Sequence, residues 1–374
     1  MTARSMGVEE ELLLVEPGTG RPLAVAESAL RAAGQQETAV SQNGKSAEAD
    51  TGSLELELQR QQVETNSKVC YELGELNEEV RRGRAAAAKA ASAAGARVAA
   101  LATSPEPVEP ELTRKGRYLR MARAFGLTAH EQLTCGCHVH VSIDSPEEGV
   151  AVLDRIGPWL PVLLALSANS PFWQGQDSSY ASFRYQAWSR WPSAGPTDVF
   201  GSAGAYQETV RQMIETGTLL DAGMVYFDAR LSDHYPTLEV RVADVCLYAD
   251  DAVLLAALTR GLVETEARRW QAGSPAGGQR LEMLRLASWR ASRSGLDGDL
   301  LSPLTGQPLP ARIIADALFD HVRDALDETG DTAVARELLD ALLARGNGAA
   351  FQRGIRREQG LPHMIDAAAE VTAR

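Results

Sequence analysis

Four short segments of the chain place charged residues or histidines two positions apart. They read GVEEELLLVE near the N-terminus, then SLELELQR, TCGCHVHVSI and TLEVRVAD. Because successive side chains of a β-strand point to opposite faces of a sheet, each segment predicts a strand with one polar face. Helical patterns separate these strands without regular βαβ alternation, which favours an α+β fold with an antiparallel sheet.

The length of 374 residues fits either two average domains or one large domain. We predict a single domain over residues 1–374, whose C-terminal part from roughly residue 275 onward is mostly helical. Other helices are predicted from about Val69 to Ala94, over residues 149–168 and from about Ala249 to Gln271. Residues 168–197 form a predicted loop rich in aromatic residues and arginine, and loops of such length are usually functional.

The chain is acidic overall, with a formal net charge of −13 and an isoelectric point near 5.1. This charge argues against nucleic acid or a membrane as the main partner, since both select basic surfaces. No apolar stretch reaches the roughly 20 residues of a membrane span, and the N-terminal segment lacks the apolar core of a signal peptide. Four cysteines in so long a chain do not indicate a disulfide scaffold. We therefore expect a cytoplasmic protein with reduced cysteines.

The third segment holds four potential zinc ligands, Cys135, Cys137, His138 and His140. On a regular strand the two histidines share one face and the two cysteines share the other, so one metal ion cannot reach all four. Zinc-finger spacings also separate the cysteine and histidine pairs by about a dozen residues. The cysteines are therefore predicted to be small core residues, with a zinc site on a bulged strand as the alternative.

Residues on the other segments could complete a site around the two histidines. The candidates are Glu9 with Glu11, Glu57 with Glu55 and Gln59, Glu64, and Glu239 beside Arg241. Those spaced two apart share a strand face, and Glu64 lies where we expect the chain to turn into a helix. A face this acidic either repels itself or holds cations, and oxygen-rich sites with few nitrogen ligands suit Mg²⁺ or Mn²⁺.

These segments, taken in order and spacing, resemble the glutamate–cysteine ligase type 2 family, also called carboxylate–amine ligases. TLEVRVADVCLYADDAVLLAALTRGL is also similar to the glutamine synthetase segment that carries a metal-binding glutamate and a phosphate-binding arginine. The resemblance extends from about Gly7 to about Met364. It implies a glutamine-synthetase-like catalytic domain, in which a curved antiparallel sheet flanked by helices holds two or three Mg²⁺ ions around the phosphates of ATP.

The resemblance also implies roles for individual residues. Arg241 matches the arginine that contacts the transferred phosphoryl group, and together with Glu239 it is the catalytic candidate. His140 and Arg230 are expected to support the binding of ATP phosphates. The residues expected to hold Mg²⁺ or Mn²⁺ are Glu9, Glu11, Glu57, Glu64, His138 and Glu239.

The implied activity is ATP-dependent formation of an amide through an acyl phosphate, with glutamate as the acid and cysteine as the amine. Arg184 or Arg190 in the long loop could bind a substrate carboxylate through two hydrogen bonds, and Trp188 and Trp191 could wall the pocket. The implied partners are small molecules and a second copy of the chain. Three alternatives stay open: a guanidino phosphotransferase on the same fold, a ligase with a different acid and amine, and a non-catalytic metal- or nucleotide-binding relative.

Overall fold

The structure is a computed structural model that describes residues 3–41 and 53–374. Its strands are β1 (Met6–Val15), β2 (Leu54–Leu56), β3 (Gln62–Asn66), β4 (Arg97–Ala99), β5 (Gly136–Ser142), β6 (Phe172–Trp173), β7 (Gln176–Asp177), β8 (Ala229–Leu231), β9 (Thr237–Asp244), β10 (Asp299–Leu301) and β11 (Pro308–Pro310). Its α-helices are α1 (Ala26–Ser41), α2 (Leu73–Ala93), α3 (Gly116–Phe125), α4 (Leu127–His130), α5 (Pro146–Ile156), α6 (Leu160–Ser167), α7 (Phe183–Trp188), α8 (Ala203–Glu215), α9 (Ala249–Gln271), α10 (Leu281–Ser294), α11 (Ala311–Thr329), α12 (Thr332–Arg345), α13 (Gly348–Gln359) and α14 (Leu361–Thr372). A short 3₁₀ helix covers Ala222–Met224.

The centre of the fold is an antiparallel sheet with the strand order β2-β3-β1-β5-β9-β8. β4 pairs with the C-terminal end of β1, beyond the stretch that pairs with β5. Helices α2, α5, α6 and α9 pack against this sheet or against one another beside it. The predicted α+β fold with a large antiparallel sheet and flanking helices is therefore confirmed.

Strand β1 shows why its sequence gives this arrangement. Met6 and Val8 belong to the main hydrophobic core, and Glu9 and Glu11 point to the opposite face. Glu10 lies on the core face, where it is 1% exposed and accepts hydrogen bonds of 2.8 and 2.6 Å from Nε and Nη2 of Arg84. A buried carboxylate needs such a partner because its desolvation is costly.

Four predicted elements differ from the structure. The loop predicted over residues 168–197 contains the β6–β7 pair and helix α7. The strand predicted over SLELELQR includes only Leu54–Leu56, and Glu64 lies within β3 rather than at the start of a helix. The helix expected from Val69 begins at Leu73. The helix predicted over residues 149–168 is two helices, because proline cannot donate the backbone hydrogen bond that would continue a helix, and α6 begins with proline in its first turn.

Helix α9 agrees with its predicted bounds and is mostly buried. In the described part of the chain, no single helix is long and apolar enough to cross a membrane; α5 and α6 reach that size only as a pair, and they meet at a bend of 71°. The C-terminal part consists of α10 to α14 and the β10–β11 hairpin, which fits the expected helical content. The division into a single domain stays a prediction.

Candidate active site

A cavity of about 250 Å³ lies against the face of the sheet opposite the one that carries Met6 and Val8. Its floor consists of side chains on β1, β3, β5 and β9 that point to this opposite face. The polar residues of the floor are Glu9, Glu11, Glu57, Glu64, His138, His140, Glu239 and Arg241. All of the residues expected to hold metal therefore line one cavity, although Glu57 lies just beyond the end of β2 rather than within a strand.

Strand register explains why these side chains converge. Glu9 lies opposite His138 on β5, and Glu11 lies opposite Glu64 on β3. His140 lies opposite Glu239 on β9. Side chains of directly opposite residues on adjacent strands are close neighbours, so three cross-strand pairs bring these acids and histidines together.

Glu9, His140 and Glu239 form the first of two potential metal-binding groups, with ligand atoms all within 4.8 Å of one another. His140 Nε2 lies 3.2 Å from Glu9 Oε1 and 4.0 Å from Glu239 Oε1. Burial acts to raise the pKa of Glu9, but His138 and His140 hold it well below its usual value. Glu9 is therefore ionised at neutral pH and available as a ligand.

His138 lies beside this group. Its Nδ1 is 3.2 Å from Glu9 Oε2 and 3.9 Å from Glu239 Oε1. Burial and the nearby Arg241 lower the pKa of His138 to about 4, so its imidazole is neutral at pH 7. If Nδ1 donates to Glu9, then Nε2 keeps a free lone pair, and this buried atom has no hydrogen-bond partner among the described residues. His140 is a member of the first group, and His138, which lies as close to Glu9 and Glu239, stays a predicted metal ligand that also contacts Glu9 through Nδ1.

The second group consists of Glu11, Glu57 and Glu64, whose ligand atoms again lie within 4.8 Å of one another. Burial and repulsion by Glu57 raise the pKa of Glu11 to about 7, and the same two causes raise the pKa of Glu64. Like charges so close together disfavour ionisation unless a cation neutralises them. This group therefore has the features of a cation site.

The donor atoms of both groups fit Mg²⁺ or Mn²⁺. Five carboxylates and one imidazole supply them, and hard divalent cations prefer oxygen ligands. No cysteine belongs to either group among the described residues. Cys135 and Cys137 are at most 1% exposed and lie in hydrophobic cores, as strand alternation predicts. The geometry therefore gives no support to a zinc site that combines these cysteines with the histidines.

Two arginines face Glu239 from neighbouring strand positions. Arg230 on β8 donates from Nε to Glu239 Oε2 at 2.7 Å, and Arg241 on β9 contacts Glu239 Oε1. Burial acts to raise the pKa of Glu239, yet these two guanidinium groups hold it well below its usual value. Glu239 is 2% exposed, so it keeps its charge in a site where only paired charges are stable.

The two arginines expected to bind a substrate carboxylate do not line the cavity. Arg190 is paired with Glu131 at 2.6 Å near the surface. Arg184 is 2% exposed and donates to the carbonyl oxygens of Arg241 and Val242. A Cβ atom at Gly136 would lie 2.3 Å from Arg184 Nη2, so a larger residue there would require this buried guanidinium to shift. Trp188 and Trp191 do line the cavity as expected.

Several residues of the cavity wall were not predicted from the sequence. Arg117, Tyr118 and Met121 come from α3, and Tyr226 comes from the segment before β8. The loop from Ser232 to Tyr235, between β8 and β9, completes the rim. Nothing in the sequence indicated that α3 faces the acidic strands.

Solved structures share this fold. The crystal structure of glutamate–cysteine ligase from Francisella tularensis in complex with AMP superposes with a TM-score of 0.69 at 13% identity, over 100% of this chain and 89% of that chain. The ligase PafA, solved in complex with the prokaryotic ubiquitin-like protein Pup, gives a TM-score of 0.55 at 16% identity over 98% and 72% of the two chains. At such low identity, these similarities establish the architecture alone.

Sequence similarity to bacterial relatives is much higher. A protein of Streptomyces avermitilis, provisionally named glutamate–cysteine ligase 2-1, is 52% identical over 357 residues, which cover 96% of each chain. A protein of Streptomyces coelicolor, provisionally named glutamate–cysteine ligase 2, is 50% identical over 365 residues and 98% of each chain. The sequence profile of glutamate–cysteine ligase family 2 matches residues 5–366. The chain therefore belongs to glutamate–cysteine ligase family 2, a family of ATP-dependent carboxylate–amine ligases.

Proposed function

We propose that this cavity activates a carboxylate with ATP and joins it to an amine. The observation that carries the proposal is the pair of acidic groups on one sheet face, with Arg241 and Arg230 beside Glu239. Phosphoryl transfer depends mainly on positioning and on neutralising negative charge. Acidic groups that can hold divalent cations, together with two arginines, supply both requirements.

Glu9, His140 and Glu239 would hold one Mg²⁺ or Mn²⁺ ion, and Glu11, Glu57 and Glu64 would hold another. Bound ions would neutralise the charge of the ATP phosphates. His138 orients Glu9 through Nδ1. When a cation shares the charge of Glu239, the guanidinium groups of Arg230 and Arg241 are free to bind phosphate oxygens.

The reaction balances in two steps. A carboxylate oxygen attacks the γ-phosphorus of ATP, the bond to the β–γ bridging oxygen breaks, and ADP leaves. The amine nitrogen then attacks the carbonyl carbon of the acyl phosphate, and phosphate departs with the former carboxylate oxygen. An ammonium group loses two protons as it becomes an amide, and these pass to a nearby carboxylate or phosphate and to water. The family name makes glutamate and cysteine the first acid and amine to test.

Hydroxylamine tests carboxylate activation without knowledge of the natural amine, because it converts acyl phosphates to hydroxamates. We expect hydroxamate, ADP and phosphate in equal amounts when protein, ATP, Mg²⁺, hydroxylamine and a carboxylate such as glutamate are combined. EDTA should abolish the reaction. A guanidino phosphotransferase would instead phosphorylate a guanidine, with ADP formed and no phosphate released. If no carboxylate in a broad panel gives hydroxamate, the proposed function is wrong.

A further inference from the structure

Part of the cavity is lined by aromatic side chains rather than by carboxylates. This aromatic wall consists of Tyr118, Trp188, Trp191 and Tyr226. The ring centroids of Trp188 and Trp191 lie 4.8 and 5.4 Å from that of Tyr226, so three of the rings form one packed unit. The wall shares the cavity with Glu57 of the second acidic group.

Every arginine in the described lining of this cavity already faces a carboxylate. Arg117 donates from Nε and Nη2 to both carboxylate oxygens of Asp221 at 2.7 Å, and its Nη1 lies 3.4 Å from Met121 Sδ. Arg230 and Arg241 share the single carboxylate of Glu239, each on one of its oxygens. A substrate carboxylate would have to compete with one of these pairs.

The positions of these arginines separate the two substrates. The donor carboxylate must meet the γ-phosphoryl group, which we place beside Arg230 and Arg241. That leaves the aromatic wall to the acceptor, and among the described residues the arginine beside this wall is Arg117, held by two charge-assisted hydrogen bonds. Lys115 lies 5.4 Å above the ring of Tyr118, but it is exposed, donates to the Leu56 carbonyl oxygen and does not line the cavity.

We infer that the acceptor is an amine that carries no carboxylate group of its own. Aromatic faces and a neighbouring carboxylate attract an ammonium group, whereas an amino-acid carboxylate would meet Glu57 and find Arg117 already neutralised. The three carboxylates of the second acidic group carry one more negative charge, when ionised, than one divalent cation neutralises. A substrate carboxylate would therefore still be repelled when this group holds metal. The inference rests on the proposed function and departs from the family name at the acceptor.

Matched amines test this inference on the complete protein. Cysteamine and L-cysteine differ by one carboxylate, as do phenethylamine and L-phenylalanine. Each compound is assayed as an acceptor by product mass and as a competitor of hydroxylamine in hydroxamate formation. We expect kcat/KM, or potency of competition, to favour the member without the carboxylate by at least about tenfold in each pair.

A variant tests the part that Arg117 plays. Asp221→Asn removes the charge that neutralises Arg117, so discrimination against the amino acids should fall by roughly fivefold. Asp177→Asn is the matched control, since Arg353 holds Asp177 through two hydrogen bonds of 3.1 and 2.8 Å with similar exposure but away from the cavity. The control should leave the ratios unchanged, and circular dichroism confirms folding of both variants.

The outcomes separate the inference from the function beneath it. Hydroxamate formation together with equal or better use of the amino acids, or with no competition by any of the four amines, would overturn the inference and leave carboxylate activation intact. Absence of hydroxamate from every carboxylate would overturn the proposed function and the inference with it. If Asp221→Asn does not fold, the comparison of matched amines in the wild-type protein still tests whether the acceptor lacks a carboxylate.

Discussion

Substitution of Glu239 by glutamine should weaken both the fold and the metal site. Glu239 is 2% exposed and accepts a 2.7 Å hydrogen bond from Arg230, while Arg241 contacts its other oxygen. Glutamine keeps the size of the side chain but removes the charge that balances two largely buried guanidinium groups. Loss of one partner from a buried ion pair costs roughly 3–5 kcal/mol. We expect about 3 kcal/mol, because the amide oxygen still accepts one hydrogen bond.

Glu10→Gln provides a matched control for this variant. Glu10 is also a buried carboxylate held by an arginine, Arg84, but it lies on the opposite face of the sheet. The two variants should lose similar stability. Because Glu239 belongs to a proposed ligand group, only Glu239→Gln should also lower the affinity for Mn²⁺, by about a hundredfold.

Urea unfolding followed by circular dichroism gives the free energy of unfolding without metal, and isothermal titration calorimetry gives the dissociation constant for Mn²⁺. Mn²⁺ binding by Glu239→Gln equal to that of the wild-type protein would contradict the assignment of Glu239 to the metal site. Equal weakening of Mn²⁺ binding by Glu10→Gln would also contradict it, since the effect would then come from general loosening of the sheet.

Other perturbations address separate parts of the molecule. Arg241→Lys keeps a charge but loses the planar fork, so kcat in the hydroxamate assay should fall about a hundredfold with little change in KM for ATP; near-normal kcat in a folded variant would remove Arg241 from the chemistry. Replacing Cys135 and Cys137 together by alanine should cost about 1–3 kcal/mol in urea unfolding and leave turnover largely intact, whereas a folded but inactive double variant would contradict their assignment to the core. Burial raises the pKa of Asp228 to about 7, above its value in the unfolded chain, so the wild-type protein loses stability as pH rises from about 4 to 7. Asp228→Asn lacks this titration, so its free energy of unfolding should rise by about 3 kcal/mol relative to that of the wild type between pH 5 and pH 8. If the difference in free energy of unfolding between the two proteins does not change with pH, Asp228 is ionised throughout this range.

The strand faces could be predicted from the sequence because two-residue alternation is a local property. Two residues spaced two apart share a face whenever they lie in a regular strand. This holds for Glu9 and Glu11 in β1 and for Glu239 and Arg241 in β9. Alternation failed at SLELELQR, where the strand ends at Leu56 and Gln59 is buried and bonded to the Ala129 carbonyl oxygen. Alternation of polar and apolar residues does not show where a strand stops pairing with the adjacent strand.

Features that depend on tertiary contacts could not be predicted from the sequence. Arg184 and Arg190 looked equivalent in the sequence, yet one is buried behind β9 and the other pairs with Glu131 near the surface. The approach of both His138 and His140 to Glu239 depends on the pairing of β5 with β9. Arg117 could be assigned to the cavity only once α3 was placed against the sheet.

The three consecutive glutamates of β1 also limit how the chain can assemble. If β1 slipped by one residue during folding, Glu9 and Glu11 would turn towards the apolar core, and Arg84 would be left to balance two carboxylates there. A one-residue slip exchanges the two faces of a strand, and each unpaired buried carboxylate costs several kcal/mol. Folding intermediates in which β1 is misaligned should therefore be too unstable to accumulate. The same charges that form the cavity floor thus also select the correct register of β1 during sheet assembly.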